Sequence, residues 1–114
     1  MKEELYALLR ENDYETAGDL ASKFTPAELA VILEEIPSEQ LPLFCRETNS
    51  DLLAETLVLL SPALQEAVIS GLREDELDKV FKEVSLDDTV EIMEDMPQAI
   101  VRRIAEEEEI VQLL

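Results

Sequence analysis

From Phe24 to Pro97 the apolar residues of this chain recur every twelve positions. One column of the repeat reads Phe24, Ile36, Thr48, Leu60, Leu72, Val84, Met96. Five residues on it reads Leu29, Leu41, Leu53, Gln65, Leu77, Thr89, Val101. Eight on it reads Ile32, Phe44, Thr56, Val68, Val80, Ile92, Ile104, and nine on Leu33, Cys45, Leu57, Ile69, Phe81, Met93, Ala105. Offsets of five, eight, nine and twelve trace one face of a helix. Each unit is therefore predicted to be a short amphipathic helix closed by a tight turn.

The turn positions agree with this register. The column after the first reads Thr25, Pro37, Asn49, Ser61, Arg73, Ser85, Pro97. Ser, Thr and Asn side chains accept from the free N–H groups of a helix's first turn. Pro26 and Pro62 follow Thr25 and Ser61, at the position where a missing N–H is harmless. Thr25 and Glu28 have the spacing of a capping box. A helix of about ten residues is marginal in water, so one unit cannot stand by itself. Stacked units can bury their stripes against one another, as in a helical solenoid. Two units make a hairpin of 24 residues, shorter than the roughly 33–34 residues of ankyrin or tetratricopeptide units.

Read in order, the chain divides into a leading helical hairpin (1–23), the repeats (24–97) and a terminal helix (98–114), all one domain over 1–114. The hairpin is predicted as Lys2–Glu11 and Tyr14–Lys23, joined by a turn at Asn12 and Asp13, with Gly18 a weak point in the second helix. The repeat helices are predicted at 26–35, 38–47, 50–59, 62–71, 74–83 and 86–95, and Pro42 is expected to shorten or kink the second of these. The last helix is predicted from Gln98 to Leu114, with an acidic run at Glu106–Glu109 and an apolar end. Such an end calls for something to pack on, so the chain reads as a piece of a longer protein.

Composition narrows the class. Hydrophobic residues are 46% of 114, only two glycines occur, and no strand-like alternation is present, which indicates an all-α domain. There is no run of 18 apolar residues and no signal peptide, so the chain reads as soluble. The single cysteine, Cys45, falls in a core column and reads as a small buried apolar residue. Acidic residues number 28 against nine basic, a net charge of −19. That argues against nucleic acid and anionic membranes as partners. It favours a basic partner or multivalent cations, unless it serves solubility alone.

Catalysis is not indicated. Histidine, the commonest general base, is absent. Neither a phosphate-cradling glycine loop nor a zinc spacing is found. Carboxylates without histidine or thiolate suit hard cations, Mg²⁺ or Ca²⁺. No EF-hand loop is present. Mg²⁺ keeps most of its waters and often takes only one or two protein carboxylates, so a weak site completed by a partner is the expected form.

The segment Thr25-Pro26-Ala27-Glu28-Leu29-Ala30, followed by Leu33-Glu34-Glu35-Ile36-Pro37, resembles the opening repeat of the N-terminal domain of the MgtE family of magnesium transporters. Leu59-Leu60-Ser61-Pro62 and Val84-Ser85-Leu86-Asp87-Asp88 resemble its later turns. The resemblance implies an all-α, right-handed superhelix of about nine short helices. It also implies a cytoplasmic domain that precedes a CBS domain pair and a transmembrane pore, in a homodimeric parent. Such a domain helps sense Mg²⁺, which binds between acidic N and CBS surfaces and favours the closed state. Carried over by the matching segments, the ligands are Glu55 (in Ala54–Leu57), Asp87 and Glu91, with Asp51 and Asp88 second. Glu91 stands where the family has aspartate, so its reach differs. In a chain this acidic each is otherwise an ordinary solvated carboxylate. The chain lacks CBS and membrane parts and cannot transport by itself. The alternative is a protein-interaction scaffold such as a FliG-like flagellar motor domain, whose glycine-containing signature loops are not found here.

Overall fold

A computed structural model of the chain describes residues 1–107, with side chains described to Ile104. Nine helices and no strand occur among the described residues. They are α1 (Lys2–Arg10), α2 (Tyr14–Ala21), α3 (Pro26–Glu35), α4 (Leu41–Glu47), α5 (Ser50–Leu57), α6 (Pro62–Gly71), α7 (Glu74–Glu83), α8 (Leu86–Glu94) and α9 (Gln98–Glu107). The part of the terminal helix expected beyond Glu107 lies outside the described residues.

The caps are those the turn column calls for. Thr25 Oγ1 accepts from Glu28 N–H at 3.1 Å while Glu28 Oε1 accepts from Thr25 N–H at 2.9 Å. Asn49 accepts from Asp51 and Leu52, Ser61 from Leu64, and Ser85 from Asp88. At Arg73, which has no acceptor to offer, Glu76 supplies the cap instead and accepts from Arg73 N–H at 2.7 Å.

Three helices are shorter than predicted by two residues or more, and α1 and α8 by one. α4 begins at Leu41 rather than 38, with Pro42 in its first turn. Had it begun at 38, the proline ring would have stood against the carbonyl four residues back with no N–H to bond it. The chain instead turns over Ser38–Gln40, with Gln40 N–H on the Pro37 carbonyl. α2 and α5 stop at Ala21 and Leu57. Each then winds into a tighter turn, where Lys23 and Leu59 donate three residues back.

Helix packing follows the next neighbour but one: α2 on α4, α3 on α5, α4 on α6, α5 on α7 and α7 on α9. The repeat columns are what these contacts bury. The columns five, eight and nine residues after the first are buried throughout their described members, except half-buried Val101. Their polar members are held by hydrogen bonds. Thr56 and Thr89 each donate to the carbonyl four residues back, and Gln65 donates to the Leu57 carbonyl at 3.0 Å. Thr48, in the first column, donates to Phe44 in the same way. No hydroxyl is therefore left bare in the core, which would cost about 1–3 kcal/mol each.

Both glycines mark close crossings. A Cβ on Gly18 would collide with the backbone carbonyl of Glu47, and one on Gly71 with the Pro42 ring. Gly18, weak by propensity, is what lets α2 lie against the end of α4. The α1–α2 turn is closed by Asn12 at φ 60°, a left-handed conformation that asparagine tolerates. The Gln40 amide ties that turn to the α3–α4 turn, donating to the Leu9 carbonyl at 2.7 Å.

Leu57 and Ile69 are fully buried. Leu57→Ala or Ile69→Ala should each destabilise the fold by about 2–5 kcal/mol in urea unfolding. A loss under about 0.5 kcal/mol at both would show that the columns are not the core. Gly18→Ala gives the opposite sign from helix propensity. Alanine alone would add about 1 kcal/mol to an open helix, but against the Glu47 backbone it should cost about 1–3 kcal/mol. A gain in stability would mean that α2 and α4 can separate freely.

Candidate functional site

Residues 74–83 and 86–95 each hold five acids, but α7 also carries Lys79 and Lys82 whereas α8 carries no base. Asp87 and Asp88 lie in its first turn, where the helix dipole favours negative charge. Glu91, Glu94 and Asp95 lie in the second half and at the C-cap, where the dipole disfavours it, and no basic residue stands in the last turn. Each such acid costs α8 a few tenths to about 1 kcal/mol. Asp87 and Glu91, one turn apart on the same face, repel each other by a similar small amount.

α8 also departs from the regular stack. Its principal helix partner is α9, and toward α6 it faces a groove of about 250 Å³. One wall of that groove is Val58, Leu60, Pro62 and Gln65 at the α5–α6 turn. The other is Asp88, Glu91, Ile92 and Asp95 on α8. Spacings of three and seven residues put these three carboxylates on one side of the helix.

The candidates from the sequence are placed as follows. Glu55 and Asp51 are exposed on α5, Asp87 and Glu91 are exposed on α8, and Asp88 is half-buried. Glu91 and Asp88 share the groove; Glu55, Asp51 and Asp87 are not among its lining residues. Asp95 is a groove carboxylate that the sequence reading did not include, although its spacing of four from Glu91 was visible. None of these six carboxylates accepts a hydrogen bond or pairs with a base among the described residues. Nor do any three His, Cys, Asp or Glu side chains there converge closely enough to hold a metal ion.

A few carboxylates elsewhere have counter-charges. Glu35 is hydrogen-bonded by Lys2 and Tyr6, both at 3.0 Å, which lowers its pKa and raises those of Lys2 and Tyr6, the latter chiefly by desolvation. Glu76 lies 3.5 Å from Arg46, Asp78 pairs with Lys82 and Glu74 with Arg103. A wider groove of about 520 Å³ between α1 and α2 is apolar, with Ala7, Leu8 and Leu20 among its lining. It lies apart from the α8 carboxylates.

These features define a class, a repeat domain of short helices that presents uncompensated carboxylates on one helix. Residues 24–109 match the family described as the MgtE intracellular N domain, and the chain belongs to that family. No curated protein matches the chain. The family is the intracellular domain of a magnesium transporter rather than an enzyme. No helix among the described residues is long and apolar enough to cross a membrane.

Cys45 is buried, and burial pushes its thiol up to about 12. The thiolate is the reactive form. At pH 8 a disulfide reagent should therefore label native Cys45 roughly a thousandfold more slowly than the unfolded chain. Labelling at the unfolded rate under native conditions would show that α4 opens readily.

Proposed function

We propose that this domain senses intracellular Mg²⁺ for a magnesium transporter, sharing hydrated ions between its α8 face and an adjacent CBS domain pair. The observation that carries the reading is the set of carboxylates on α8 that no base pairs with among the described residues, in a member of this family. Asp87 and Glu91, with Glu55 from α5, are the proposed ligands; Asp51 and Asp88 support them, and Asp95 extends the groove. Too few of these groups converge to hold an ion tightly, so the partner surface completes the site. Mg²⁺ suits this, since it retains most of its waters and bridges through one or two carboxylates on each side.

The mechanism is a two-state equilibrium. Without Mg²⁺ the facing acidic surfaces repel and the domains stay apart. With Mg²⁺ the ions bind the closed arrangement better than the open one and shift the population by that difference in affinity. The fixed acids at the C-terminal end of α8, unfavourable in the absence of a cation, lose their penalty when one arrives.

Titrating this chain with MgCl₂ tests the reading. Amide NMR signals of α8 and of Glu55 should move over millimolar Mg²⁺. The triple exchange Glu55→Gln, Asp87→Asn, Glu91→Gln should abolish most of that movement. The exchange Glu15→Gln, Glu34→Gln, Glu39→Gln changes net charge equally at exposed positions and should leave it intact. Equal loss in both variants would mean bulk charge is responsible. A micromolar Kd by calorimetry would mean the site is complete within this chain. In a transporter carrying this domain, the first triple should flatten the dependence of pore opening on internal Mg²⁺ and the second should not.

A further inference from the structure

The helix that carries Asp87, Asp88 and Glu91 is held mainly by α9, and α9, which packs on α7, is tied to the end of α6 by one arginine. Arg103 reaches from α9 to the end of α6 and spends its whole guanidinium there. Nη1 donates to the Ile69 carbonyl at 2.7 Å, Nη2 to the Leu72 carbonyl at 2.5 Å and Nε to Glu74 Oε1 at 3.1 Å. The two carbonyls belong to the C-terminal turn of α6, which has no basic residue of its own. A cation there satisfies free acceptors and opposes the dipole. Glu74 opens α7, so a single side chain ties α9 to the α6–α7 junction. Around it Ile100 and Ile104 bury the adjacent turns of α9.

We propose that Arg103 is the positioning residue of the acidic face. It touches none of the candidate ligands. It clamps α9 to the α6–α7 junction, and α9 fixes the height and rotation of α8 beside the groove. α8 needs such an outside support, because on its α6 side it meets a groove rather than a packed helix. The planar fork of three donors sets direction as well as distance, which a lysine ammonium does not. Arg46 supports the same turn from α4, donating to the Gly71 carbonyl at 2.8 Å. The α6 end therefore stays in place when Arg103 is changed, and the loss falls on α9 and α8.

This inference rests on α8 being the ion-facing helix, and the test separates the two. Amide hydrogen exchange is measured on the whole chain and on Arg103→Gln and Arg103→Lys. Exchange in 86–104 should quicken by about tenfold in Arg103→Gln while 26–57 keeps its protection. Arg103→Lys, which keeps the charge and is read in place of Arg103→Gln should that variant not fold, should quicken the same segment by a smaller factor. Uniform quickening, unchanged α8 and α9, or full protection by lysine would each overturn the clamp. MgCl₂ titration followed at the Asp87, Asp88 and Glu91 amides supplies the second readout. The signals should move less in both variants than in the unaltered chain. Equal movement in all three would show that Arg103 holds α9 but does not position the acids. If Mg²⁺ leaves the unaltered chain's α8 signals in place, the metal reading fails, and the exchange data still decide the clamp.

Discussion

A helix of seven to ten residues closes too few hydrogen bonds to persist alone in water, so most helices here depend on the neighbour two places along, while α1 packs on α2 and α8 on α9. The starts of α3, α5, α7 and α9, at Pro26, Ser50, Glu74 and Gln98, recur every 24 residues. That is two units of the sequence repeat, and the packing period equals it. Each helix from α3 to α8 buries three columns of its stripe, and each such buried aliphatic side chain contributes about 1.5–3 kcal/mol. No unit folds without its neighbours, which makes the domain one cooperative body despite its serial layout.

That dependence explains the residues that break the apolar pattern. Thr56, Gln65 and Thr89 occupy core columns but return their hydrogen bonds to nearby helix carbonyls. Gly18 and Gly71 cost helix propensity and repay it by letting backbones cross without a Cβ between them. Pro42 shortens α4 and then forms the surface that Gly71 meets. In each case a local rule gives way to a contact between helices.

α8 breaks local rules with no structural compensation among the described residues. Its second half carries acids where the dipole opposes them, no base answers them in its last turn, and its α6 side is open. Local preferences that fail without a contact to explain them concentrate at functional sites. The same acids are the ones that would gain most from a cation. Elsewhere the chain spends its few bases on structure: Lys2 on Glu35, Arg46 and Arg103 on the end of α6. The lack of any base in 86–95, rather than the charge of −19 itself, distinguishes α8 from the equally acidic α7.

The twelve-residue spacing by itself determined the helical class, the register of the core columns and most of the caps. These depend on residues close in sequence, and a side chain's face on a helix follows from its position in the turn. Family membership was legible for the same reason, since the motifs at Thr25–Pro37 and Val84–Asp88 are local and share one register. What only the tertiary structure decided were relations between helices. Asp88 and Glu91 share a groove with Asp95, whereas Glu55 and Asp87 are not among its lining residues. Gly18 is a crossing point, which propensity alone reads as a defect. Arg103, one of nine basic residues, grips carbonyls 31 and 34 positions earlier in the chain. No periodicity encodes such pairings, because they arise where helices distant in sequence meet.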